Sequence, residues 1–203
     1  MHPNPAFRAT PHERNLAFAR ERGFGTLAVS HDGRPLLSHV PFLLSEDGAS
    51  ADLHLVRSNP ISRLGDVATV LAVSGPDAYL SPDWYGVSDQ VPTWNYVAVH
   101  LSGRLVRLPD PALRDVLDRQ SAAYEARLAP KPAWTMDKMS ETARSRMMRM
   151  ILPFRLHIER IDATWKLSQN KPDDARDGAI QGLAGSTLGF EIADMARLMD
   201  DGT

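Results

Sequence analysis

The stretch Val97-Ala98-Val99-His100-Leu101-Ser102-Gly103-Arg104-Leu105-Val106 decides the fold, because large apolar side chains recur in it at every second position. In an extended chain, Val97, Val99, Leu101 and Leu105 fall on one face. Such alternation is typical of a β-strand with one buried face, whereas an amphipathic helix repeats every 3.6 residues or so, about 100° per residue. The stretch therefore predicts a strand of a sheet or barrel.

Two segments directly before this strand concentrate aromatic residues and prolines: Tyr79-Leu80-Ser81-Pro82-Asp83-Trp84-Tyr85 and Val91-Pro92-Thr93-Trp94-Asn95-Tyr96. They hold two of the four tryptophans and three of the four tyrosines. Flat side chains beside Asn, Thr and Ser, on a backbone that proline restricts, suit the wall of a pocket for a planar polar ligand. The alternative is a rigid loop that plugs a barrel end, since aromatic residues often simply pack.

Farther upstream, the pattern predicts a helix and then a hairpin. Thr10-Pro11-His12-Glu13 has the spacing of a capping box and Gly23 is a natural stop, which predicts a helix at about 11–22. Asp32-Gly33 is a strong turn dipeptide between two extended runs, 24–30 and 35–42, and predicts a β-hairpin.

Two further strands are expected before the aromatic segments. The first, at 52–56, leads into Asn59-Pro60, where a short helix should begin and carry apolar residues as far as Ala68. The second strand, at 69–74, is expected to end at Gly75-Pro76.

Downstream, helices and one more strand follow. Asp110-Pro111 predicts a helix start, a second helix is expected at about 140–151, and a period of two resumes at 154–158. The tail, at about 173–200, reads as two short helices broken near Gly185-Ser186, and their apolar stripes predict that they pack on the barrel or across a dimer.

This order has too few helices between strands for a doubly wound parallel sheet. We therefore expect a mainly β fold with helices: an antiparallel barrel with peripheral helices. A length of 203 residues fits a single domain, 1–203, that includes the helical tail.

Composition excludes several classes of function. The formal charge of −2 gives no overall attraction to nucleic acid, and the absence of cysteine removes disulfides and thiolate sites. No apolar run approaches the roughly 20 residues that span a bilayer, and the N-terminus lacks a secretion signal, so we expect a cytoplasmic protein without membrane insertion. Rossmann, Walker, HExxH and serine-hydrolase motifs are not found, which argues against nucleotide sites of those kinds and against a metal site.

Two polar clusters could hold a charged ligand. Val56-Arg57-Ser58-Asn59-Pro60 brings a guanidinium, a hydroxyl and an amide to an expected helix N-terminus, which suits a phosphate. Equally, Arg57 could pair with a carboxylate, and Asn59 could do no more than cap the expected helix. Lys166-Leu167-Ser168-Gln169-Asn170-Lys171 offers many donors to phosphate or to flavin oxygens, and its alternative is a solvated turn.

A basic concentration near the second of the two middle helices is the only candidate for DNA contact. It comprises Lys138, Arg144, Arg146 and Arg149, whose spacing scatters the charges around a helix. A solvated face is the more economical interpretation, and no helix-turn-helix pair with a recognition helix is evident. DNA contact is thus conceivable but not supported by these residues.

Taken together, ordered motifs along nearly the whole chain resemble the PaiB-type FMN-binding negative transcriptional regulators. The motifs are Pro41-Phe42, His54 to Pro60, Gly75-Pro76 with 79–85, 91–100, and Lys166 to Lys171. The resemblance implies an FMN-binding split β-barrel, normally a homodimer with flavin near the subunit interface.

Carried over residue by residue, the resemblance implies ten cofactor-binding candidates, and it leaves the catalytic residues unknown. Arg57, Ser58 and Asn59 are candidates near the phosphate, and the rest of the FMN pocket would be formed by Thr93, Trp94, Asn95, Lys166, Ser168, Gln169 and Asn170. The chain departs mildly from the family pattern, with Val56 and Ser58 where alanine is more common and Leu80 where isoleucine is usual.

Two functions follow as expectations. One is a flavin-dependent regulator, in which FMN alters how the dimer engages a partner. The other is a flavin oxidoreductase that passes electrons from NADH or NADPH to a small acceptor. A weaker alternative is haem binding or degradation, because split barrels also host haem.

Overall fold

The computed structural model describes residues 2–201 and contains five α-helices and seven strands within that range. The strands, in chain order, are β1 (Phe24–His31), β2 (Arg34–Leu44), β3 (Ser50–Val56), β4 (Val67–Leu80), β5 (Thr93–Arg107), β6 (Ile151–Lys166) and β7 (Gly189–Phe190). The helices are α1 (His12–Arg22), α2 (Ala112–Glu125), α3 (Glu141–Met148), α4 (Asp173–Leu183) and α5 (Ile192–Asp201).

The seven strands belong to one sheet in the order β1-β2-β3-β6-β5-β4-β7, and β1 also pairs with β4. The chain falls into two compact units. We call residues 16–73 and 100–161 the barrel unit, and residues 2–15, 74–99 and 162–201 the terminal unit. Strands β4, β5 and β6 contribute residues to both units. The prediction of a single domain stays a prediction.

The barrel unit is a ring of antiparallel pairings. The predicted hairpin is confirmed, with Phe24 opposite Pro41 and His31 opposite Arg34. The ring closes where β1 pairs with β4, from Thr26 opposite Ala72 to Val29 opposite Thr69.

Inside the barrel unit, leucines from alternate strand positions form the core. Leu27, Leu53, Leu71, Leu101 and Leu156 have no exposed surface. Full burial of a leucine contributes roughly 1.5–3 kcal/mol relative to an exposed one, so the alternation seen at 97–106 stabilises the barrel directly.

One glycine allows two barrel strands to approach closely. A Cβ at Gly103 would lie 1.8 Å from the carbonyl oxygen of His157 on β6, which is far inside van der Waals contact. The sequence therefore needs glycine at this position of β5.

Helix α1 confirms the prediction of a helix at about 11–22. The tail also forms two helices, α4 and α5, separated at the predicted break. Within the terminal unit these helices pack on each other, and α4 packs on the 3₁₀ turn Pro82–Tyr85, where Gly182 leaves room for the ring of Trp84.

Three predicted boundaries were wrong. The segment after Asn59-Pro60 is a single 3₁₀ turn, Pro60–Arg63, because Gly65 in a left-handed conformation redirects the chain and β4 begins at Val67. Strand β4 continues through Gly75-Pro76 to Leu80, since extended backbone accommodates proline where no N–H is needed for pairing.

The third wrong boundary is the end of α3. This helix stops at Met148, and Ile151 already begins β6. The carbonyl oxygen of Met150 accepts a hydrogen bond from the N–H of Arg57 at 2.9 Å, which holds the chain as it leaves the helix. Within residues 2–201 no helix combines the length and the apolar character that a bilayer crossing requires.

Candidate functional site

The terminal unit contains a cavity of about 240 Å³, which we call the polar cavity. Its walls come from the N-terminal segment, the loop before β5, the start of β5 and the turn after β6. The lining residues are Phe7, Tyr85, Asp89, Gln90, Val91, Thr93, Asn95, Lys166, Ser168, Asn170 and Lys171.

Local sequence signals place these walls. Asn4 caps the 3₁₀ turn Pro5–Phe7, which carries the buried Phe7, and Ser81 caps the turn Pro82–Tyr85 in the same way. In both, a polar N-cap precedes proline at the first position of the turn, where the missing N–H costs nothing. Gly86, with a φ of 63°, then ends the second turn and starts the loop to β5.

The turn after β6 is stabilised by the side chain of Gln169. Its Oε1 accepts from the N–H of Leu167 at 2.8 Å, and its Nε2 donates to the carbonyl oxygens of Trp165 at 2.6 Å and Ala6 at 3.1 Å. These bonds fix the turn and hold the N-terminal segment beside it. Gln169 does not line the polar cavity, so its role in the structure is to shape the wall.

Ser168 is the centre of a buried hydrogen-bond network. Its Oγ lies 3.0 Å from the Tyr85 hydroxyl and accepts from Asn95 Nδ2 at 3.0 Å. Burial raises the pKa of Tyr85, against the smaller opposing effect of the Ser168 hydrogen bond, so the phenol remains protonated near neutral pH.

Two lining residues have unusual backbone conformations. Ser168 and Asp89 both have positive φ angles, 62° and 60°. A non-glycine residue in this region costs energy, of order 1–3 kcal/mol at a strained position, and such residues cluster at binding sites. Asp tolerates the conformation well, so Ser168 is the more informative of the two.

Two lysines, against the single carboxylate of Asp89, make the cavity electropositive. Lys166 Nζ contacts Thr93 Oγ1 and lies 6.0 Å from the centre of the Phe7 ring. Lys171 Nζ contacts Gln90 Oε1 and lies 5.3 Å from the centre of the Tyr85 ring. Burial, and to a smaller extent the charge of Lys171, lowers the pKa of Lys166. The cavity therefore suits a ligand that is anionic or rich in acceptor oxygens.

Asn95 carries a buried acceptor that has no partner. Its side chain has no exposed surface, and its Nδ2 donates to Ser168 Oγ and, at 3.4 Å, to Met199 Sδ on α5. Its Oδ1 makes no hydrogen bond. Buried polar atoms are nearly always paired, so an orphaned oxygen in a cavity wall points to a donor on a ligand.

Five of the ten predicted site residues line this cavity: Thr93, Asn95, Lys166, Ser168 and Asn170. Trp94 does not. It is 47% exposed and makes an edge-to-face contact with Tyr79 at 6.0 Å. Of the aromatic residues in these segments, Tyr85 lines the cavity, as expected of a pocket wall, and Trp84 packs on α4.

The other predicted candidates, Arg57, Ser58 and Asn59, belong to the barrel unit. Arg57 Nε donates to the carbonyl oxygen of Arg149 at 2.6 Å, and its Nη2 lies 3.5 Å from Asp110. Asn59 Oδ1 caps the turn by accepting from the N–H of Ile61, and its Nδ2 donates to Ser38 Oγ at 2.9 Å. Both structural alternatives, the carboxylate pair and the cap, are therefore present, and Ser58 is exposed.

Sequence reasoning missed six lining residues, of which Lys171 and Tyr85 matter most. Both lie inside motifs already singled out, and the type of each residue, a lysine and a tyrosine, was the signal that could have identified it as a lining residue. No site role was predicted for Phe7, because its place in the wall depends on the distant Gln169–Ala6 hydrogen bond.

Comparison with known proteins identifies the family. The model of a family described as "Putative FMN-binding domain" matches residues 1–160. The chain is 31% identical over 199 residues to "Protease synthase and sporulation protein PAI 2" of Bacillus subtilis, which covers 96% of this chain and 94% of that protein. This relative extends over Lys166 to Lys171, which lie beyond the family match.

Solved structures agree on the fold. An FAD- and haem-binding protein from Mycobacterium smegmatis superposes with a TM-score of 0.58 at 20% identity, covering 90% of this chain and 82% of that one. The flavocytochrome Anf3 from Azotobacter vinelandii gives a TM-score of 0.56 at 12% identity, covering 81% and 72%. At these identities the likeness concerns the fold alone. The family match and the Bacillus subtilis relative show that the chain belongs to the PaiB-type family of FMN-binding split-barrel proteins, whose cofactor is FMN.

Proposed function

We propose that this protein is a flavin-dependent regulator that holds the ring system of FMN in the polar cavity. The observation that carries the proposal is the unpartnered, fully buried Oδ1 of Asn95 in the wall of a cavity that also presents two lysines. The wall thus offers one acceptor and several donors. The isoalloxazine ring presents the complement, an imide N–H between two carbonyl oxygens.

The orientation of the Asn95 amide supports this fit. Exchanging its oxygen and nitrogen would place Oδ1 against Met199 Sδ, which is itself a weak acceptor and has no proton to give. The amide nitrogen therefore faces Ser168 and Met199. The oxygen remains to accept a hydrogen bond from a ligand N–H, and an apolar ligand would leave it unsatisfied at a cost of about 1–3 kcal/mol.

Lys166 and Lys171 would donate to the acceptor oxygens of the cofactor. FMN, when bound, supplies one- and two-electron transfer. A positive charge held beside the ring favours the added negative charge of reduction, so both lysines would raise the reduction potential. Arg57, Ser58 and Asn59 stay candidates for the phosphate on the strength of the family resemblance.

A route from the cofactor to the tail supports regulation. Asn95 lines the cavity, and its amide nitrogen contacts Met199 of α5. A change in the hydrogen bond at Oδ1 would alter how the amide holds Met199. Helix α5 would thus respond to occupancy of the cavity, and the name of the Bacillus subtilis relative associates that protein with protease synthesis and sporulation.

The visible absorption spectrum tests cofactor binding. We expect protein that has been mixed with FMN and passed through gel filtration to keep flavin bands, and Asn95→Leu and Lys166→Gln to bind FMN about tenfold more weakly, as for a lost charge-assisted or buried hydrogen bond. Lys138→Gln, on the barrel unit, is the control and should bind normally. A wild-type protein that stays colourless would overturn the proposal, and a Soret band after haem addition would instead support the haem alternative.

Transcript profiles test the regulatory step. Deleting the gene should change the expression of a defined set of genes. Complementation with the wild-type gene should restore the profile, and complementation with Asn95→Leu should not. Identical profiles with and without the gene would rule out regulation while leaving FMN binding intact.

The lysines also favour a second candidate, a flavin oxidoreductase, because a raised reduction potential helps the cofactor accept electrons. Holoprotein should then oxidise NADH or NADPH in the presence of a small acceptor, and Lys166→Gln should slow this turnover. Failure with both nucleotides and a panel of quinone and nitro acceptors would eliminate this candidate.

We further propose that a second copy of the chain completes the flavin site. The cavity, at about 240 Å³, is smaller than the ~300–1,000 Å³ of typical cofactor sites. Val91, in its wall, is 72% exposed, and the adjacent Trp94 is 47% exposed. Light scattering should give a dimer mass, and Trp94→Glu should yield monomers that bind FMN more weakly.

A further inference from the structure

The barrel unit contains a second cavity that shares no residue with the polar cavity. Its volume is about 440 Å³, which is within the usual range for small-molecule sites. We call it the helix cleft, because its walls are α1 and the C-terminal end of α2, and its floor is part of β2. The lining residues are Ala17, Arg20 and Glu21 on one wall, Ala123, Tyr124 and Arg127 on the other, and Phe42, Leu43 and Leu44 in the floor.

Small side chains create the space in this cleft. Ala17 on α1 and Ala123 on α2 both line it, and both are exposed. Beneath them, the floor is apolar: Leu43 is half-buried and keeps accessible surface, while Phe42 and Leu44 are 1% and 5% exposed. The interior would take a hydrocarbon chain or a small ring.

Hydrogen bonds to main-chain carbonyls hold the walls. Arg127 Nη1 donates to the carbonyl oxygen of Glu21 at 2.7 Å, which ties α2 to the end of α1. The hydroxyl of Tyr124 contacts the carbonyl oxygens of Gly23 and Phe42 and so ties α2 to the barrel. Arg20 Nη2 donates to the carbonyl oxygens of Ser45 and Glu46, each at 3.1 Å. These hydrogen bonds therefore hold the walls in place, and the cleft is already formed without a ligand.

The rim of the cleft has an excess of positive charge. Arg20 and Arg127 line it with a single carboxylate, that of Glu21. Among residues 2–201, neither arginine forms an ion pair, and each uses only one of its terminal nitrogens in a hydrogen bond. Arg127 thus keeps the N–H groups of Nε and Nη2, a fork that matches a carboxylate, and Arg20 keeps single donors on Nε and Nη1.

The geometry points to a binding site for an amphipathic carboxylate, with its hydrocarbon body against Leu43, Ala17 and Ala123 and its head group between Arg20 and Arg127. The apolar floor excludes a fully polar anion such as free phosphate as the best occupant. The cationic rim excludes an amine of the same shape. This inference does not depend on flavin binding, since none of its residues belongs to the polar cavity.

Calorimetric titration of the full-length protein with octanoate tests the site, with octylammonium and 1-octanol as probes of equal length and different charge. We expect saturable binding of octanoate, no binding of octylammonium, and at least about tenfold weaker binding of octanol. Equal affinity for the three probes, or no saturable binding of octanoate, would overturn the inference.

Variants locate the binding. Ala123→Leu fills the cleft and should weaken octanoate binding at least about tenfold, whereas Ala122→Leu, an exposed neighbour outside the lining, should leave it unchanged. Ala17→Leu repeats the test from the opposite wall. Arg127→Gln should weaken octanoate but not octanol, with Arg34→Gln, an exposed arginine on β2, as its control. Unchanged octanoate affinity in both leucine variants of the cleft would show that the anion binds elsewhere.

Discussion

Asn95 Nδ2 donates a hydrogen bond to Ser168 Oγ at 3.0 Å, which joins the start of β5 to the turn after β6 within the terminal unit. The same Oγ contacts the hydroxyl of Tyr85. The 3₁₀ turn that ends at Tyr85 and the start of β5 thus both meet a distant serine, whose φ of 62° is itself unfavourable for a side chain. The network overcomes this local cost and fixes the wall of the polar cavity.

Two replacements of Ser168 distinguish the contribution of the hydrogen-bond network to stability from the cost of the backbone strain. Ser168→Ala leaves buried groups of Asn95 and Tyr85 without their partner, so the free energy of unfolding should fall by about 1–3 kcal/mol. Ser168→Gly also loses the hydroxyl, but glycine adopts positive φ without cost and should be more stable than the alanine variant by about 1 kcal/mol. Urea denaturation measures both, and an alanine variant as stable as the glycine variant would show that φ at this position carries no strain.

A glycine pair tests the packing of the tail. A Cβ at Gly182 would lie 2.3 Å from the ring of Trp84, whereas one at Gly185 would meet nothing within 4 Å. Gly182→Ala should therefore lower the free energy of unfolding by about 1–3 kcal/mol through overpacking. Gly185→Ala, its control, should be neutral or slightly stabilising. Equal melting temperatures for the two variants would mean that Trp84 moves away without cost.

Asp52 anchors the barrel unit electrostatically. It is 4% exposed, and it accepts from Arg155 at 2.6 and 2.9 Å and from Arg119 at 2.6 Å. Burial opposes ionisation, but these hydrogen bonds outweigh it and hold the pKa of Asp52 below its usual value. Asp52→Asn should cost about 1–3 kcal/mol, below the ~3–5 expected for a fully buried pair, because water can reach both arginines. Asp118→Asn, in an exposed pair with Arg114, should change the melting temperature little.

His54 should make stability fall on mild acidification. Burial lowers its pKa from 6.5, against a smaller effect of Gln120, so the unfolded chain binds this proton more readily than the folded one. The contribution of the neutral ring is complete above pH 6.5 and declines as the pH falls from there through the folded pKa. Asp52 titrates in a separate and more acidic window.

Urea midpoints of the wild type and of His54→Leu, measured between pH 7.5 and pH 5, test this prediction. The wild type should lose more stability than the variant over this range, while His12→Gln, at an exposed position of α1, should follow the wild type. Parallel curves for the wild type and His54→Leu would show that another group governs the acid response.

Local signals explain how much of the fold was predictable. The alternation of 97–106 identifies β5 because a strand has a fixed period, and Asp32-Gly33 identifies the hairpin because few dipeptides favour that turn. Asn59-Pro60 correctly marks where the 3₁₀ turn starts, but the pattern does not predict how short this turn is. The chain is redirected by the left-handed backbone conformation of Gly65, which the residue pattern does not reveal. Likewise, Lys166 and Asn95 were identified by residue type, whereas the structural use of Gln169 depends on contacts with Ala6 that no local pattern contains.

The tail provides the last prediction. The family match ends at residue 160, yet Lys166, Ser168, Asn170 and Lys171 line the polar cavity. Farther on, Met199 of α5 covers the amide of Asn95. A chain that ends at Asn170 would expose the Trp84 ring now packed on α4 and would lose the fully buried side chains of Ala179, Met195 and Met199. We therefore expect it to aggregate or to bind no FMN.

A chain that ends at Leu188 is the informative comparison, because it keeps α4 and removes α5. It should fold, since α4 still covers Trp84, but Asn95 would lose its contact with Met199 and become accessible to water. Water would then satisfy Oδ1 without a ligand, so the advantage of an imide N–H would shrink and FMN should bind at least about tenfold more weakly. Gel filtration tests whether the shortened chain folds, and flavin titration measures its affinity for FMN. Full FMN affinity in the chain that ends at Leu188 would show that α5 does not contribute to the cavity, and the proposed route from the cofactor to the tail would fail with it.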